Sequence, residues 1–216
     1  MLSILLVAVL LVQAPAATAS ADELARNLQR KYEQIQSFTA DFEHVYEGGV
    51  LRKKVAERGN VMVRKPGMMR WIYTAPEKKE FVSDGRKLHS YIPEDRQVIV
   101  TAVPTADEAS SPALFLAGKG NIARDFTASL APVPGLKPDE YALKLVPRNP
   151  QQEYDWLILV VARDTLQIRR LVTTDAQGGT STFIFSRFRE NVKLPDGAFT
   201  FRIPRGVEVI DGSRSR

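Results

Sequence analysis

The feature that most constrains this chain is a hydrophobic period of two, which begins at Phe38 and returns in short runs along the sequence. Phe38, Ala40 and Phe42 share one face of an extended strand, while Asp41 and Glu43 share the other. Similar runs follow at residues 60–65, 68–74, 79–83, 87–92, 97–103, 141–146, 154–162, 167–173, 180–188 and 198–203. Because Pro-Gly, Asp-Gly and similar turn signals separate neighbouring runs, the pattern predicts an antiparallel meander of short strands.

Two segments depart from this period and predict short helices. Ser20 and Glu23 form a capping-box pattern at the start of the first segment. Apolar side chains then recur at helical spacing through residue 36, namely Leu24, Leu28, Tyr32 and Ile35. The second segment is the apolar burst at residues 112–116, with polar residues before it and Gly118 after it. A sheet of roughly ten strands must curl, and these helices are the natural filler of its concave face.

The N-terminal segment has the features of a secretion signal. Residues 1–19 contain no charged side chain, and their apolar run at residues 2–12 is followed by small residues. This run is about half the roughly 20 apolar residues that a membrane-spanning helix needs, which argues against a retained anchor. We therefore predict a signal peptide at residues 1–19 and one secreted domain at residues 20–216. Cleavage after Ala19 and cleavage after Ala21 fit the pattern equally well, and the basic residues that usually open such a segment are missing.

Composition excludes several classes of function. The chain has no cysteine, which excludes disulfides, thiolate metal sites, a catalytic thiol and a lipid-modified N-terminal cysteine. The net charge of +5 comes from basic residues scattered among 25 acidic ones, so the sequence does not predict nucleic-acid binding. His44 and His89 are the only histidines, and the sequence has no hydrolase or metalloenzyme motif. We interpret both as surface or packing residues, and we predict no catalysis, no metal and no organic cofactor.

Two neighbouring predicted strands carry apolar rows that are larger than a β domain of this kind needs. The rows are Met69, Trp71 and Tyr73 on one strand, and Val61, Val63 and Lys65 on the other. One interpretation is ordinary core packing, with the Lys65 ammonium extending to the rim. The other is a surface for flexible alkyl chains, to which methionine and aromatic side chains adapt well. The pattern alone leaves both interpretations open.

Motifs in the centre of the chain carry a family resemblance. They are GNVMVRKPG at residues 59–67, MRW at 69–71, VSDG at 82–85 and Y-x-P at 91–93. At these residues the chain resembles the periplasmic outer-membrane lipoprotein carrier family, LolA. The resemblance begins in the first helix and extends through the motifs SFxAxF at 37–42, FxF at 199–201 and PxGV at 204–207. It therefore covers essentially the whole chain after the signal segment.

The resemblance implies a mainly β (α+β) fold: an incomplete, strongly curved antiparallel β-barrel with a lid of short helices over its concave apolar face. It also implies a periplasmic chaperone without enzymatic activity, which binds acyl chains of lipoproteins and delivers them to the outer membrane. The implied partners are acylated lipoproteins as cargo, an inner-membrane ABC-type lipoprotein extractor, and an outer-membrane lipoprotein receptor or the outer membrane itself. We expect a monomer, and the lack of cysteine matches the carrier and not the receptor, which is itself a lipoprotein.

Family positions carry over onto individual residues of this chain. The implied lipid-binding residues are Val63, Met69, Trp71 and Phe81 on the strands, and Leu114, Phe115 and Leu116 on the lid helix. The family has an arginine before the proline that hydrogen-bonds lid carbonyls and keeps the empty pocket closed, and this lid gate is Lys65 here. Lysine is a point donor without the planar fork of arginine, so the departure affects the gate more than the pocket. Strand parity points the preceding Arg64 to the outer face.

Two other functions stay open on the sequence. A periplasmic lipid- or lipoprotein-sensing domain that regulates a membrane partner would have the same shape. Such regulators usually carry a second domain, whereas this sequence ends soon after Val209. A lipid-modifying enzyme would turn over an ester, whereas both binding functions predict stoichiometric uptake alone. The carrier is the function that we expect.

Overall fold

The computed structural model describes residues 20–48, 54–103, 116, 118, 120–150, 154–174 and 178–212. The predicted signal peptide at residues 1–19 lies outside the described residues, as do Leu114 and Phe115 of the predicted lid helix. Within the described ranges, no helix combines the length and the apolar character that crossing a membrane requires.

Helix α1 (Ala21–Gln34) begins where the capping-box pattern predicts. The Ser20 side chain accepts a hydrogen bond from the backbone N–H of Glu23 at 3.2 Å, which satisfies one of the free N–H groups of the first turn. One stripe of the helix is buried and consists of Leu24, Ala25, Leu28 and Tyr32. The short helix α2 (Ile122–Asp125) and a 3-10 helix at Asp196–Phe199 follow later in the chain.

The strands fall into two groups along the sequence. The first group is β1 (Ser37–Glu47), β2 (Lys54–Arg64), β3 (Met68–Ala75), β4 (Lys79–Asp84), β5 (Lys87–Ile92) and β6 (Gln97–Ala102). The second group is β7 (Phe126–Leu130), β8 (Glu140–Pro147), β9 (Leu157–Ala162), β10 (Ile168–Thr174), β11 (Thr180–Glu190) and β12 (Glu208–Asp211). Of these, the sequence pattern did not predict β7 and β12.

The described strands form one open, strongly curved sheet of 12 strands. Its order is β12-β6-β5-β4-β3-β2-β1-β11-β10-β9-β8-β7. The pairs are antiparallel except for β12 with β6, which are parallel. Each of the first six strands pairs with its sequence neighbour, which confirms the predicted meander there. Strand β1 joins the two groups by pairing with β11, and the order ends at β7 and β12, so the predicted incomplete barrel is confirmed.

The concave face of the sheet and helix α1 enclose the main apolar core. Alternate side chains of β1, namely Phe38, Ala40 and Phe42, are all buried there, as the period of two predicts. Helix α1 contributes Leu24 and Leu28 to the same core. Burial of one such large apolar side chain contributes roughly 1.5–3 kcal/mol, so this face accounts for much of the stability.

The convex face is covered by two chain segments. Over strands β8 to β10, the loop at residues 131–136 packs on a smaller buried cluster made of Ala142, Ile158, Val160 and Val172. Every residue of β9 is consequently buried, because the strand has apolar neighbours on both faces.

The second covering segment, at residues 191–207, crosses the convex face from β1 towards β6, and we call it the C-terminal strap. Arginines that point outward from the sheet hold it in place. Arg64 donates to the backbone carbonyl of Leu194 at 2.6 Å, and Arg70 donates to that of Ala198 at 3.0 Å. The outward direction of Arg64 confirms what strand parity predicted.

The prediction of a strand at residues 198–203 is wrong, since this range belongs to the strap. Phe199 and Phe201 alternate as in a strand, but they pack on side chains of the sheet beneath them. Arg64 lies 5.3 Å from the centre of the Phe199 ring, and His89 stacks on Phe201 at 5.3 Å. Residues 198–203 pair with none of the described strands, so their alternation reflects packing on the sheet and not pairing within it.

Candidate functional site

The strand residues that the sequence predicts for lipid binding lie together on the concave face. Val63 of β2 pairs with Met69 of β3, and Val61 pairs with Trp71. Trp71 in turn pairs with Phe81 of β4. Val63, Met69 and Trp71 are buried, and Phe81 is half-buried against the same core. Cross-strand pairing therefore brings Val63, Met69, Trp71 and Phe81 into one surface, which we call the apolar patch.

Trp71 lies at the centre of an aromatic cluster that sequence reasoning found only in part. The centre of its ring lies 5.1 Å from that of Phe42, 5.4 Å from that of Phe183 and 6.4 Å from that of Phe185. Phe183 and Phe185 belong to β11, far from Trp71 in the sequence. Their alternate spacing within the predicted strand at residues 180–188 was the signal that could have placed them on the apolar face.

Leu116 is the residue of the predicted lid helix that the structure describes, and it is 1% exposed. Its backbone carbonyl accepts a hydrogen bond from the Tyr32 hydroxyl at 2.5 Å. A buried tyrosine hydroxyl usually has such a partner. Because Tyr32 lies near the end of α1, this bond joins α1 to the chain around residue 116. Both residues belong to the same core as the apolar patch.

Lys65 follows β2 directly and contacts helix α1 and the chain at residue 118. Its Nζ donates to the backbone carbonyl of Tyr32 and lies 3.5 Å from the centre of the Tyr32 ring, in a cation–π contact. Its methylene stem packs closely on Gly118, where an added Cβ would lie 2.8 Å from Lys65 Cδ. The cation that ends the predicted apolar row therefore links the sheet to α1 and to the chain at residue 118.

Burial lowers the pKa of the Lys65 ammonium to about 8, although the nearby Glu33 carboxylate acts in the opposite direction. In the unfolded chain the same group has the ordinary lysine pKa of 10.5. The unfolded chain therefore holds this proton more tightly than the folded protein. The contribution of Lys65 to the free energy of unfolding consequently rises with pH between about 8 and 10.5.

We expect Lys65→Arg to remove this pH dependence, because arginine keeps its charge throughout the range. The measurement is urea unfolding of both proteins at about pH 7.5 and about pH 9.5. The free energy of unfolding of the wild type should increase relative to that of the variant as the pH rises. If the difference in free energy of unfolding between the two proteins is the same at both pH values, the lowered pKa of the Lys65 ammonium is contradicted.

A group of polar side chains adjoins the aromatic cluster on the same face, and we call His44, Glu57, Lys79 and Ser181 the polar layer. Glu57 is 8% exposed. One of its carboxylate oxygens lies 2.5 Å from Lys79 Nζ, and the other lies 2.9 Å from His44 Nδ1. His44 Nε2 in turn lies 2.7 Å from Ser181 Oγ. The buried carboxylate is thus paired at both oxygens, as burial of a charge requires.

The protonation states of the polar layer follow from these contacts. Burial alone would raise the pKa of the Glu57 carboxyl, but the hydrogen bonds from Lys79 and His44 lower it below the ordinary value. Burial lowers the pKa of His44, although Glu57 opposes that change. The neutral imidazole therefore donates from Nδ1 to Glu57 and accepts at Nε2 from the Ser181 hydroxyl. Lys79 and Glu57 are left as a cation and an anion that balance each other.

Interpreting His44 as a plain surface or packing residue missed this network. Its members come from β1, β2, β4 and β11, and no spacing in the sequence connects them. Parity held a partial signal, because His44 is in phase with Phe38 and Phe42 and so points to the concave face. A polar residue in phase with an apolar row predicts a buried partner.

Comparison with known proteins places this fold in a family. The model of the outer membrane lipoprotein carrier protein LolA matches residues 33–202. This chain belongs to the LolA family. The LolA match spans the apolar patch, Lys65, Leu116 and the polar layer, and it confirms the resemblance found in the sequence motifs.

Curated relatives agree over nearly the full length of the chain. The outer-membrane lipoprotein carrier protein of Chromohalobacter salexigens is 31% identical over 198 residues, which cover 91% of this chain and 89% of the relative. That of Bordetella avium is 31% identical over 201 residues, which cover 93% of each chain. Among solved structures, an uncharacterized conserved protein from Thermus thermophilus has a TM-score of 0.54 and 15% identity, covering 87% of this chain and 98% of that one. This last likeness concerns the fold alone.

Proposed function

We propose that this LolA-family chain binds the acyl chains of lipoproteins on its concave face and carries them through the periplasm to the outer membrane. The apolar patch is the observation that supports this most directly. Its side chains come from β2, β3 and β4 and adjoin Leu116 of the lid segment in one apolar core. Leu114 and Phe115, which lie outside the described residues, complete the proposed lipid-binding set.

The physical need for such a carrier follows from the cost of exposing acyl chains to water. Each buried methylene contributes about 0.8 kcal/mol, so a C16 chain left in water costs on the order of 12 kcal/mol. The side chains of the patch belong to the same buried core as Leu116 and the inner stripe of α1. The lid side chains therefore compete with the cargo for the same surface, which keeps binding reversible.

Lys65 is the proposed gate of the lid. In this proposal, its contacts with Tyr32 and Gly118 hold the lid over the apolar patch. Cargo that enters under the lid has to separate these contacts. The lysine thus fills the role that the family resemblance gives to an arginine, with a single ammonium donor in place of a planar fork.

The proposed route has partners on both sides of the periplasm. An inner-membrane ABC-type extractor hands over the acylated lipoprotein, and an outer-membrane lipoprotein receptor or the outer membrane itself takes it up. The signal peptide predicted at residues 1–19 directs the chain to this compartment. The carrier works as a monomer, without a cofactor and without nucleic acid.

The proposed function involves no catalysis, in keeping with the carrier family. Hydrogen bonds connect Ser181 to His44 and His44 to Glu57, in the same order as the serine, histidine and carboxylate of a hydrolase triad. Ser181, however, lies inside β11 between two paired strands, where backbone N–H groups bond to the neighbouring strands. An oxyanion would need free N–H donors beside the serine. We therefore assign the polar layer a binding and structural role.

The experiment that tests the carrier uses inner-membrane vesicles loaded with a labelled lipoprotein and its extractor. We expect the purified protein without its signal segment to release the lipoprotein as a soluble one-to-one complex. Trp71→Glu and Phe81→Glu should abolish the complex, because a carboxylate in the patch opposes alkyl burial. Phe81 is half-buried, so its variant keeps the test valid where the change at Trp71 prevents folding.

Ile184→Glu is the matched control, since Ile184 is 44% exposed and lies on the other face of β11 from Phe183 and Phe185. It should leave the complex intact. Release of no lipoprotein, together with binding of a regulatory membrane protein, would move the function to the sensor. Release of free fatty acid from the cargo would establish the lipid-modifying enzyme instead.

A further inference from the structure

One donor on the concave face has no hydrogen-bond partner. Among the described residues, the buried side-chain nitrogen and oxygen atoms without a partner are Trp71 Nε1 and His89 Nδ1. In one tautomer of His89, Nδ1 carries no hydrogen and is an acceptor, so it is not an unpaired donor. The indole nitrogen always carries a hydrogen and can only donate. Trp71 is 4% exposed, so this N–H is removed from water as well.

Among the described residues, the contacts of the Trp71 ring are with other aromatic rings, and its N–H has no hydrogen-bond acceptor. Its ring neighbours are Phe42, Phe183 and Phe185, whose faces accept hydrogen bonds only weakly. The great majority of buried donors in proteins are paired, and an unpaired one in a native structure calls for an explanation. The structure therefore holds an unpaired donor in the middle of the surface to which acyl chains are proposed to bind.

We propose that the Trp71 indole N–H donates to the carbonyl oxygen at the head of a bound acyl chain and so selects acyl esters and amides over plain hydrocarbon chains. This inference rests on the proposed function and adds a specificity-determining residue to it. An alkyl chain has no acceptor to offer Trp71, whereas an ester or amide carbonyl accepts strongly.

The order of residues along the concave face predicts the direction in which a bound acyl chain lies. From Trp71, the register leads one way to Val63 and Met69, at the end of β2 that Lys65 follows. It leads the other way through Tyr73 to Lys79 and the rest of the polar layer. A carbonyl held at Trp71 places the hydrocarbon towards Val63 and Met69 and the glyceryl or peptide end towards the polar layer. Apolar and polar parts of the cargo then each lie against matching side chains.

The test compares a diacylglycerol with the dialkyl ether of glycerol that has chains of equal length. Wild-type protein should bind the ester about ten-fold more tightly than the ether, since only the ester has carbonyls. Trp71→Phe removes the N–H and should bind both ligands with equal affinity. The ratio of the two affinities isolates the hydrogen bond, because the change of ring shape affects both ligands alike.

Phe42→Leu is the matched control, since it alters a neighbouring ring that has no polar atom. It should weaken binding of ester and ether by the same factor and keep their ratio. Nitrogen-15 spectra add a direct signal, because the chain has 2 tryptophans. The indole signal of Trp71 should move on binding of the ester and move less with the ether. Trp156 packs against the convex-face cluster and should stay unchanged with both.

The outcomes separate this inference from the function on which it rests. Equal binding of ester and ether by the wild type overturns the role of the Trp71 N–H but leaves acyl-chain carriage standing. An ester preference that persists in Trp71→Phe overturns it too, since the donor then lies elsewhere. If the wild type binds neither lipid and releases no lipoprotein, both the proposed function and this inference are overturned.

Discussion

Replacing Gly59 with alanine is expected to lower the free energy of unfolding by about 3 kcal/mol or more. Gly59 lies at an irregularity in the pairing of β2 with β3, and its missing side chain would point to the concave face. A Cβ there would lie 2.0 Å from the backbone oxygen of Ile72 and 2.6 Å from Cζ of Phe42. The Phe42 ring can move, but the backbone oxygen of a paired strand cannot do so without disturbing the sheet.

Urea unfolding of Gly59→Ala measures this effect, and Gly197→Ala is its control. A Cβ at Gly197 would meet no atom within 4 Å, so this change should alter the free energy of unfolding by no more than about 0.5 kcal/mol. Equal stability of the two variants would show that β2 and β3 have room between them at Gly59. A loss confined to Gly59→Ala would establish the close approach of strand and aromatic ring.

Glu57→Gln should lower the free energy of unfolding by about 2 kcal/mol at neutral pH, because it removes the carboxylate that both Lys79 and His44 contact. The neutral amide has the shape of the carboxylate but leaves the partly buried Lys79 ammonium without an anion. Hydrogen bonds to Lys79 and His44 hold the pKa of Glu57 below the ordinary 4.5, against the effect of burial. The stabilisation is therefore complete above about pH 4.5 and is lost as the pH falls through the lowered pKa.

The measurement is again urea unfolding, repeated from neutral pH down to about pH 3. The difference in free energy of unfolding between the wild type and Glu57→Gln should decrease as the solution becomes more acidic. Glu80→Gln is the control, since Glu80 pairs with Arg70 at 2.5 Å in a more exposed position. The Glu80→Gln change should lower the free energy of unfolding by about 1 kcal/mol or less. Two results would contradict a buried paired carboxylate at Glu57. One is a loss of unfolding free energy in Glu57→Gln no larger than that in Glu80→Gln, and the other is a loss that does not change with pH.

Local signals predicted the parts of this fold that form between sequence neighbours. The Ser20 cap and the spacing of Leu24 and Leu28 placed helix α1, because a helix satisfies its own hydrogen bonds. Alternation and turn residues placed the strands from β1 to β6, because short turns leave antiparallel pairing as the only way to join them. The inward row of Val63, Met69 and Trp71 followed from parity in the same way.

Features that depend on distant partners could not be predicted in this way. Strand β12 is short, and it is a strand because it pairs in parallel with β6. Phe199 and Phe201 alternate like a strand, yet the sheet beneath them and not a neighbouring strand explains the pattern. The polar layer needs Glu57 of β2 and Ser181 of β11 to lie on either side of His44, which is decided by the register of both strands with β1. Family resemblance, and not periodicity, supplied the assignment of Lys65 to the lid.

The side chains of the apolar patch belong to the hydrophobic core, together with Leu116 and the inner stripe of α1. Specificity and foldability therefore cannot change separately in this protein. A substitution that enlarges the patch for a bulkier cargo also removes packing from the empty form, whereas the loaded form regains that packing from the cargo itself. The rise in melting temperature on loading thus measures how much of the interior the cargo replaces. Variants selected for new cargo should be found among those that are least stable when empty.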